Sequence, residues 1–135
     1  MKTKILLLAM LISMCSGGSD VAEDKNIVSL STTHTEIIQM LEGENLLVGV
    51  DSFSETELPI EKIDAYTVTA EELLILDPDI VLVAFDFNGI VEGLENLDID
   101  YALLPPAQTL DDVYSQIETV GSIINKSDQA NSLVN

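Results

Sequence analysis

Apolar residues in this chain come as short blocks separated by stretches with helical spacing. Ile27–Leu30, Leu46–Val50, Ile80–Ala84 and Asp100–Leu104 each read as a strand. The run Ile80-Val-Leu-Val-Ala84 is apolar throughout, the pattern of a strand covered on both faces. Between the blocks, Thr33–Glu42 brings Ile37, Ile38 and Leu41 to one helical face. Ala70–Leu76 reads as a short helix stopped by Asp77-Pro78, and residues 89–97 as another, with Val91, Leu94 and Leu97 aligned. From Leu110 onward, Val113, Ile117, Val120 and Ile124 recur at steps of three and four, predicting a final helix. Residues 51–68 follow neither period and read as irregular chain with turn chemistry around Pro59. Three helix starts carry a cap signal. Thr33-His-Thr-Glu36 and Thr69-Ala-Glu-Glu72 fit the capping box, and Thr109-Leu-Asp-Asp112 is a version with Asp. Strands alternating with helices at this spacing predict an α/β domain with a mainly parallel sheet.

The first residues follow a different logic. Met1-Lys-Thr-Lys4 is basic, and Ile5–Ile12 is apolar but too short to anchor in a bilayer. Together they have the shape of an export leader, ending near Cys15. A cysteine directly after the apolar run, followed by the small polar stretch Ser16–Asp20, resembles a bacterial lipoprotein signal, in which the cysteine takes the lipid. Met14 departs from that pattern, because the residue before the cysteine is normally small. An ordinary export leader that happens to contain a cysteine is the other reading. Both send the chain to the periplasm or cell surface, and the lipoprotein signal, the favoured one, adds lipid on Cys15 as its one membrane attachment. Residues 16–26 read as a flexible tether.

Composition narrows the function. The 135 residues carry 24 Asp and Glu against five Lys and no Arg, a net charge of −19. A nucleic-acid binder needs a basic patch, so that class is set aside. One Cys excludes an internal disulfide, and one His excludes a histidine-rich metal site. With 47% apolar residues the chain has material for a core.

Several segments, taken in order, resemble a known family. They are Ile27-Val-Ser-Leu-Ser-Thr-Thr-His-Thr-Glu-Ile-Ile38, Leu47-Val-Gly-Val-Asp51, Glu71-Glu-Leu-Leu-Ile-Leu-Asp-Pro-Asp-Ile-Val-Leu-Val83 and Thr109-Leu-Asp-Asp-Val-Tyr-Ser-Gln-Ile-Glu-Thr-Val-Gly121. The series resembles the substrate-binding proteins of ABC importers for cobalamin, haem and ferric siderophores. That resemblance implies two Rossmann-like α/β lobes bridged by a long helix, a ligand between them, and no enzymatic chemistry. It implies a metal chelate as ligand, permease subunits as partners, and a monomer. The family is about twice this length. The expectation is therefore an N-terminal lobe over 27–108 and the start of the bridging helix over 109–135, with the second lobe missing.

Ligands of open α/β sheets bind beyond the carboxyl ends of the strands. Phe53, Tyr66 and Phe85 fall at such places, and aromatics at the matching places line the corrinoid cleft of cobalamin-binding relatives. Phe packed under a loop is the competing reading, and Phe87 and Asn88 are weaker candidates in the same segment as Phe85. Thr33 and His34, at a helix start, are candidate ligand contacts; helix capping competes for Thr33, as it does for Ser31 and Thr32. Glu36 reads as the capping-box partner of Thr33, and Tyr101 and Tyr114 as packing residues. The resemblance places a permease-facing glutamate near Glu92, with Glu95 the alternative. An Arg clamp for an anionic chelate is missing and only Lys62 is at hand, which favours a corrinoid over haem or a siderophore. No resident cofactor, catalytic residue or metal site is expected. Two other readings remain: an exported hydrolase using Mg²⁺ at Asp51 or Asp86, and a non-functional remnant whose last helix exposes its apolar seam.

Overall fold

A computed structural model describes residues 24–135. The leader with Cys15 and most of the tether lie outside the described residues. The last tether residues belong to the fold. Lys25 Nζ donates to the Ile123 carbonyl at 3.0 Å, and Asn26 N–H donates to Asp79 Oδ2 at 2.7 Å.

Five strands form one sheet: β1 (Ile27–Ser29), β2 (Leu47–Asp51), β3 (Glu61–Ile63), β4 (Ile80–Val83) and β5 (Tyr101–Leu103). Their order is β3-β2-β1-β4-β5, and every neighbouring pair is parallel. The helices are α1 (Thr32–Met40), α2 (Ala70–Leu74), α3 (Ile90–Asn96), α4 (Leu110–Ile123) and α5 (Ser127–Val134). The expected α/β class and parallel sheet are what the chain forms. Strand β3 is an addition to the expected set: it is an edge strand with Glu61 and Lys62 exposed and only Ile63 buried, so it has no apolar run.

Alternation along the strands feeds two cores. Ile27 and Leu82 face one side, where they pack with Ile38 of α1, Leu41 just after it, Val120 of α4 and Ala130 of α5. Val28, Val81 and Val83 face the other, with Leu73 of α2 and Leu94 of α3. Both faces are covered, which accounts for the unbroken apolar character of β4.

The capping boxes at Thr69 and Thr109 form. Glu72 N–H donates to Thr69 Oγ1 and Thr69 N–H to Glu72 Oε2, at 3.4 and 2.8 Å. Asp112 accepts the backbone N–H of Gln108 and of Thr109, each at 2.9 Å, and these bonds hold its carboxyl below the usual carboxylate range. The box expected at Thr33 does not form. Helix α1 begins one residue earlier, Ser31 occupies the cap position in extended conformation, and Thr33 and Glu36 are exposed.

The segment 109–135 is two helices. The chain turns at Asn125, whose φ is 58°, and α5 folds back on α4. A Cβ on Gly121 would come within 2.4 Å of Ala130 Cβ, so this helix crossing requires glycine. Of the apolar seam, Ile117, Val120 and Ile124 are buried, whereas Leu110 and Val113 are exposed. Tyr114, expected to pack, is exposed beside them; Tyr101 packs against the second core.

Candidate functional site

The chain leaves central β1 toward β2 and β3, then crosses through α2 to β4 and β5 on the other side. That reversal opens a crevice at the carboxyl ends of β1 and β4, where an open α/β sheet places its ligand. A cavity of about 190 Å³ lies there. Its walls come from four segments: Ser31 to Thr33 after β1, Asp51 and Phe53 at the end of β2, Ala65 and Tyr66 after β3, and Phe85 and Phe87 after β4.

The aromatic rings are presented outward. Phe53 is 74% exposed, Tyr66 58% and Phe85 52%. Packing of Phe53 and Phe85 beneath their loops is therefore not what occurs. Phe87 stands between two other rings, 4.8 Å from Tyr66 and 5.1 Å from Phe85, both pairs tilted. It is thus the centre of the cluster and not a minor neighbour. Phe87 N–H donates to the Phe85 carbonyl at 2.9 Å, and Asn88 and Gly89 follow with φ of 55° and 67°.

Short polar side chains fix the loops that carry these rings. Phe53 N–H donates to Asp51 Oδ1 at 2.8 Å, and Tyr66 N–H to Asp64 Oδ1 at 3.0 Å. Asp86 Oδ1 accepts the Val91 N–H at 3.0 Å at the start of α3. Asn88 Nδ2 donates to the Thr67 carbonyl at 3.3 Å, joining the third and fourth segments. Asp51 and Asp86, the carboxylates that an Mg²⁺ hydrolase would need, are engaged in these bonds. Among the described residues no group of three His, Cys, Asp or Glu is placed to hold a metal ion.

Comparison with known proteins places this architecture. The family described as periplasmic binding protein matches residues 27–135. The chain belongs to the periplasmic binding protein family. A Bacillus subtilis (strain 168) protein named as an uncharacterized ABC transporter substrate-binding lipoprotein, YvrC, is 29% identical over 119 residues, covering 83% of this chain and 38% of that one. The fold is shared with the periplasmic haem-binding protein HutB of Vibrio cholerae, at 24% identity and a TM-score of 0.76, over 82% of this chain and 45% of HutB. The haem-binding protein RhuT of Roseiflexus sp. RS-1 is similar at 26% identity and a TM-score of 0.71, over 82% and 44% of the two chains. The chain thus spans less than half the length of these relatives.

In this family member the sequence candidates separate. Phe53, Tyr66, Phe85 and Thr33 meet at the cavity. His34 does not reach it. It is 1% exposed on the inner side of α1, with a backbone hydrogen bond to Leu104 and Nδ1 without a partner. Burial pushes its pKa below the ordinary histidine value, and the Leu104 bond offsets only part of that. Glu92 is exposed in the first turn of α3, at the same edge of the sheet as the cavity. Glu95 is engaged: the Tyr101 hydroxyl donates to its Oε1 at 2.7 Å, a bond that raises the tyrosine pKa. Lys62 Nζ donates to the Ser54 carbonyl, at the side of the loop away from the rings' cavity.

Proposed function

We propose that this chain is the N-terminal lobe of a solute-binding protein, which holds a planar metal chelate against its aromatic edge and delivers it to an ABC permease. The observation that carries the reading is the convergence of Phe53, Tyr66, Phe85 and Phe87, from three different loops, on the crevice of a parallel sheet. Exposed rings at a preformed edge suit the face of a macrocycle. Cobalamin is the favoured ligand, ahead of haem and ferric siderophores. A haem propionate or an anionic siderophore calls for a cationic partner. Here Lys62 is committed to a backbone carbonyl, and Lys25 and Lys126 border the opposite, amino-terminal edge of the sheet. The names of the relatives support haem or another importer substrate as the nearest competitors, and the lipoprotein name of the Bacillus relative supports a lipid on Cys15.

One lobe offers one wall of a cleft, so binding by this chain is expected to be weaker than nanomolar. Calorimetric titration with cyanocobalamin, hemin and a ferric hydroxamate separates the three ligand classes; nanomolar affinity would overturn the half-cleft reading, and no binding by any of them would overturn the site. Phe53→Ala and Tyr66→Ala are each expected to weaken the preferred probe about tenfold, the scale of losing one buried aromatic contact. Unchanged affinity in both variants would move the ligand elsewhere.

Glu92 is the proposed permease contact. Charge reversal in Glu92→Lys is expected to leave the titrations unchanged and to abolish stimulation of the importer's ATPase by the full-length binding protein. Equal stimulation by both forms would remove Glu92 from the docking face.

A further inference from the structure

Behind Phe53 lies a carboxylate held by neutral donors. Asp51 ends β2 and is 4% exposed. A buried carboxylate is costly unless its oxygens are supplied with donors. Asp51 has three: the Phe53 N–H at 2.8 Å, the Ser54 hydroxyl at 2.7 Å and the Thr32 hydroxyl at 3.1 Å. Phe53 and Ser54 belong to the loop after β2, and Thr32 to the first turn of α1. One side chain therefore ties two of the four walls of the cavity together.

The network continues inward. Ser54 Oγ is 3.0 Å from Thr35 Oγ1, which is 2.9 Å from Ser29 Oγ, and all three residues are buried. Each hydroxyl has one proton to donate. With Ser54 donating to Asp51 and Ser29 to the Ser31 carbonyl, the Thr35 proton is left for one of its neighbouring oxygens. The far side of the loop is held separately, by Gln39 donating to the Glu55 carbonyl at 2.8 Å and Thr56 donating to Glu44 at 2.5 Å. The Phe53 ring itself is mostly in solvent. Its position therefore follows from the backbone turn at 51–54, which the Asp51 carboxylate holds together with the Ser54 N–H bond to the Asp51 carbonyl at 3.0 Å.

We infer that Asp51 is a positioning residue, which pre-orders the Phe53 ring and locks it to the start of α1 so that the two walls meet a ligand as one surface. The inference rests on the proposed aromatic-edge site. A ring already ordered loses less freedom when a ligand stacks on it, so the gain appears as affinity.

The chain has no Trp, so Phe53→Trp places a single indole fluorophore on the loop. In the full chain carrying that reporter, Asp51→Ala is expected to add a fast component to the indole anisotropy decay and to increase quenching by acrylamide. The same change is expected to weaken quenching of the indole by cyanocobalamin and hemin, raising the apparent Kd at least tenfold. Asp51→Asn, which still offers an acceptor to the residue 53 N–H, is expected to restore much of both. A folded Asp51→Ala variant with unchanged mobility and affinity would overturn the assignment. Should that variant unfold, Thr32→Val removes only the link to α1; increased indole mobility then supports the lock, and unchanged mobility overturns it. If neither probe quenches the indole in the parent reporter protein, the ligand site fails and the positioning role with it. If both probes bind the parent and every Asp51 variant equally, the positioning role alone fails.

Discussion

Leu82→Ala is expected to destabilise the chain by about 2–5 kcal/mol, the range for removing a buried leucine side chain. Leu82 is fully buried in the middle of β4, and its carbonyl accepts the Leu30 N–H at 2.9 Å. Its side chain meets the core shared by α1, α4 and α5, so the space it vacates is walled by a sheet and several helices. Such a site collapses poorly, which places the loss toward the upper part of the range. Domains of ordinary size have only about 5–15 kcal/mol in total, so much of the stability is at stake. Urea unfolding should show a lower midpoint at unchanged slope. Ile75→Ala is the comparison: that residue is equally apolar but 84% exposed at the end of α2, and its loss should change stability by no more than about 0.5 kcal/mol. A larger effect at Ile75 than at Leu82 would contradict the two-core arrangement.

What can be read from the sequence follows from where each segment sits. The buried strands announce themselves, because Ile80–Val83 must be apolar on both faces and Ile27–Ser29 lies between two neighbours. Edge strand β3 does not, since Glu61 and Lys62 look outward and resemble loop chemistry. The final helical pattern predicts α4 well but passes silently over the break before α5. Asn125 in a left-handed conformation and the glycine-dependent crossing at Gly121 are set by tertiary contact, not by periodicity. The false capping box at Thr33 has a similar cause. Thr35 is drawn inward to Ser29 and Ser54, which advances the helix start to Thr32.

The site is legible to the same degree. Placing Phe53 and Phe85 needs only the ends of β2 and β4, whereas Tyr66 follows the strand β3 that the sequence hides; the three residues do meet at the cavity. Phe87 is easily undervalued because its role depends on ring contacts made only on folding; the Asn88-Gly89 pair is the available signal of a turn there. The Asp51 network is invisible in the sequence, since its hydroxyl partners come from β1, α1 and the loop after β2 and converge only on folding. His34 misleads in the opposite direction. A polar residue at a helix start suggests an exposed edge, yet the first turn of α1 is covered there and the ring is buried in the protein.

That burial couples the protonation of His34 to the fold. An ionised imidazole there would lack water on every side, and a proton on Nδ1 would find no acceptor. Its folded pKa lies below the value of 6.5 that it has when unfolded. As pH falls through that unfolded value, the unfolded chain takes up a proton that the folded chain refuses, so stability falls. The slope reaches at most about 1.4 kcal/mol per pH unit for one proton, and it ends once the folded pKa is passed. Asp112 acts in a different window, because a depressed carboxyl loses its contribution only as pH drops below the ordinary carboxylate range. Urea midpoints of wild type and His34→Leu at about pH 8, 6.5 and 5.5, values that bracket the ordinary histidine range, isolate the histidine. At the highest pH the two should be close, since the leucine gives up the Leu104 bond but also removes an unpaired nitrogen. Toward the lowest pH the wild type should lose stability faster, so that the variant becomes the more stable protein. Parallel curves would mean that the imidazole is hydrated in solution, and that the first turn of α1 opens to water at the edge where Thr32 and Thr33 meet the cavity.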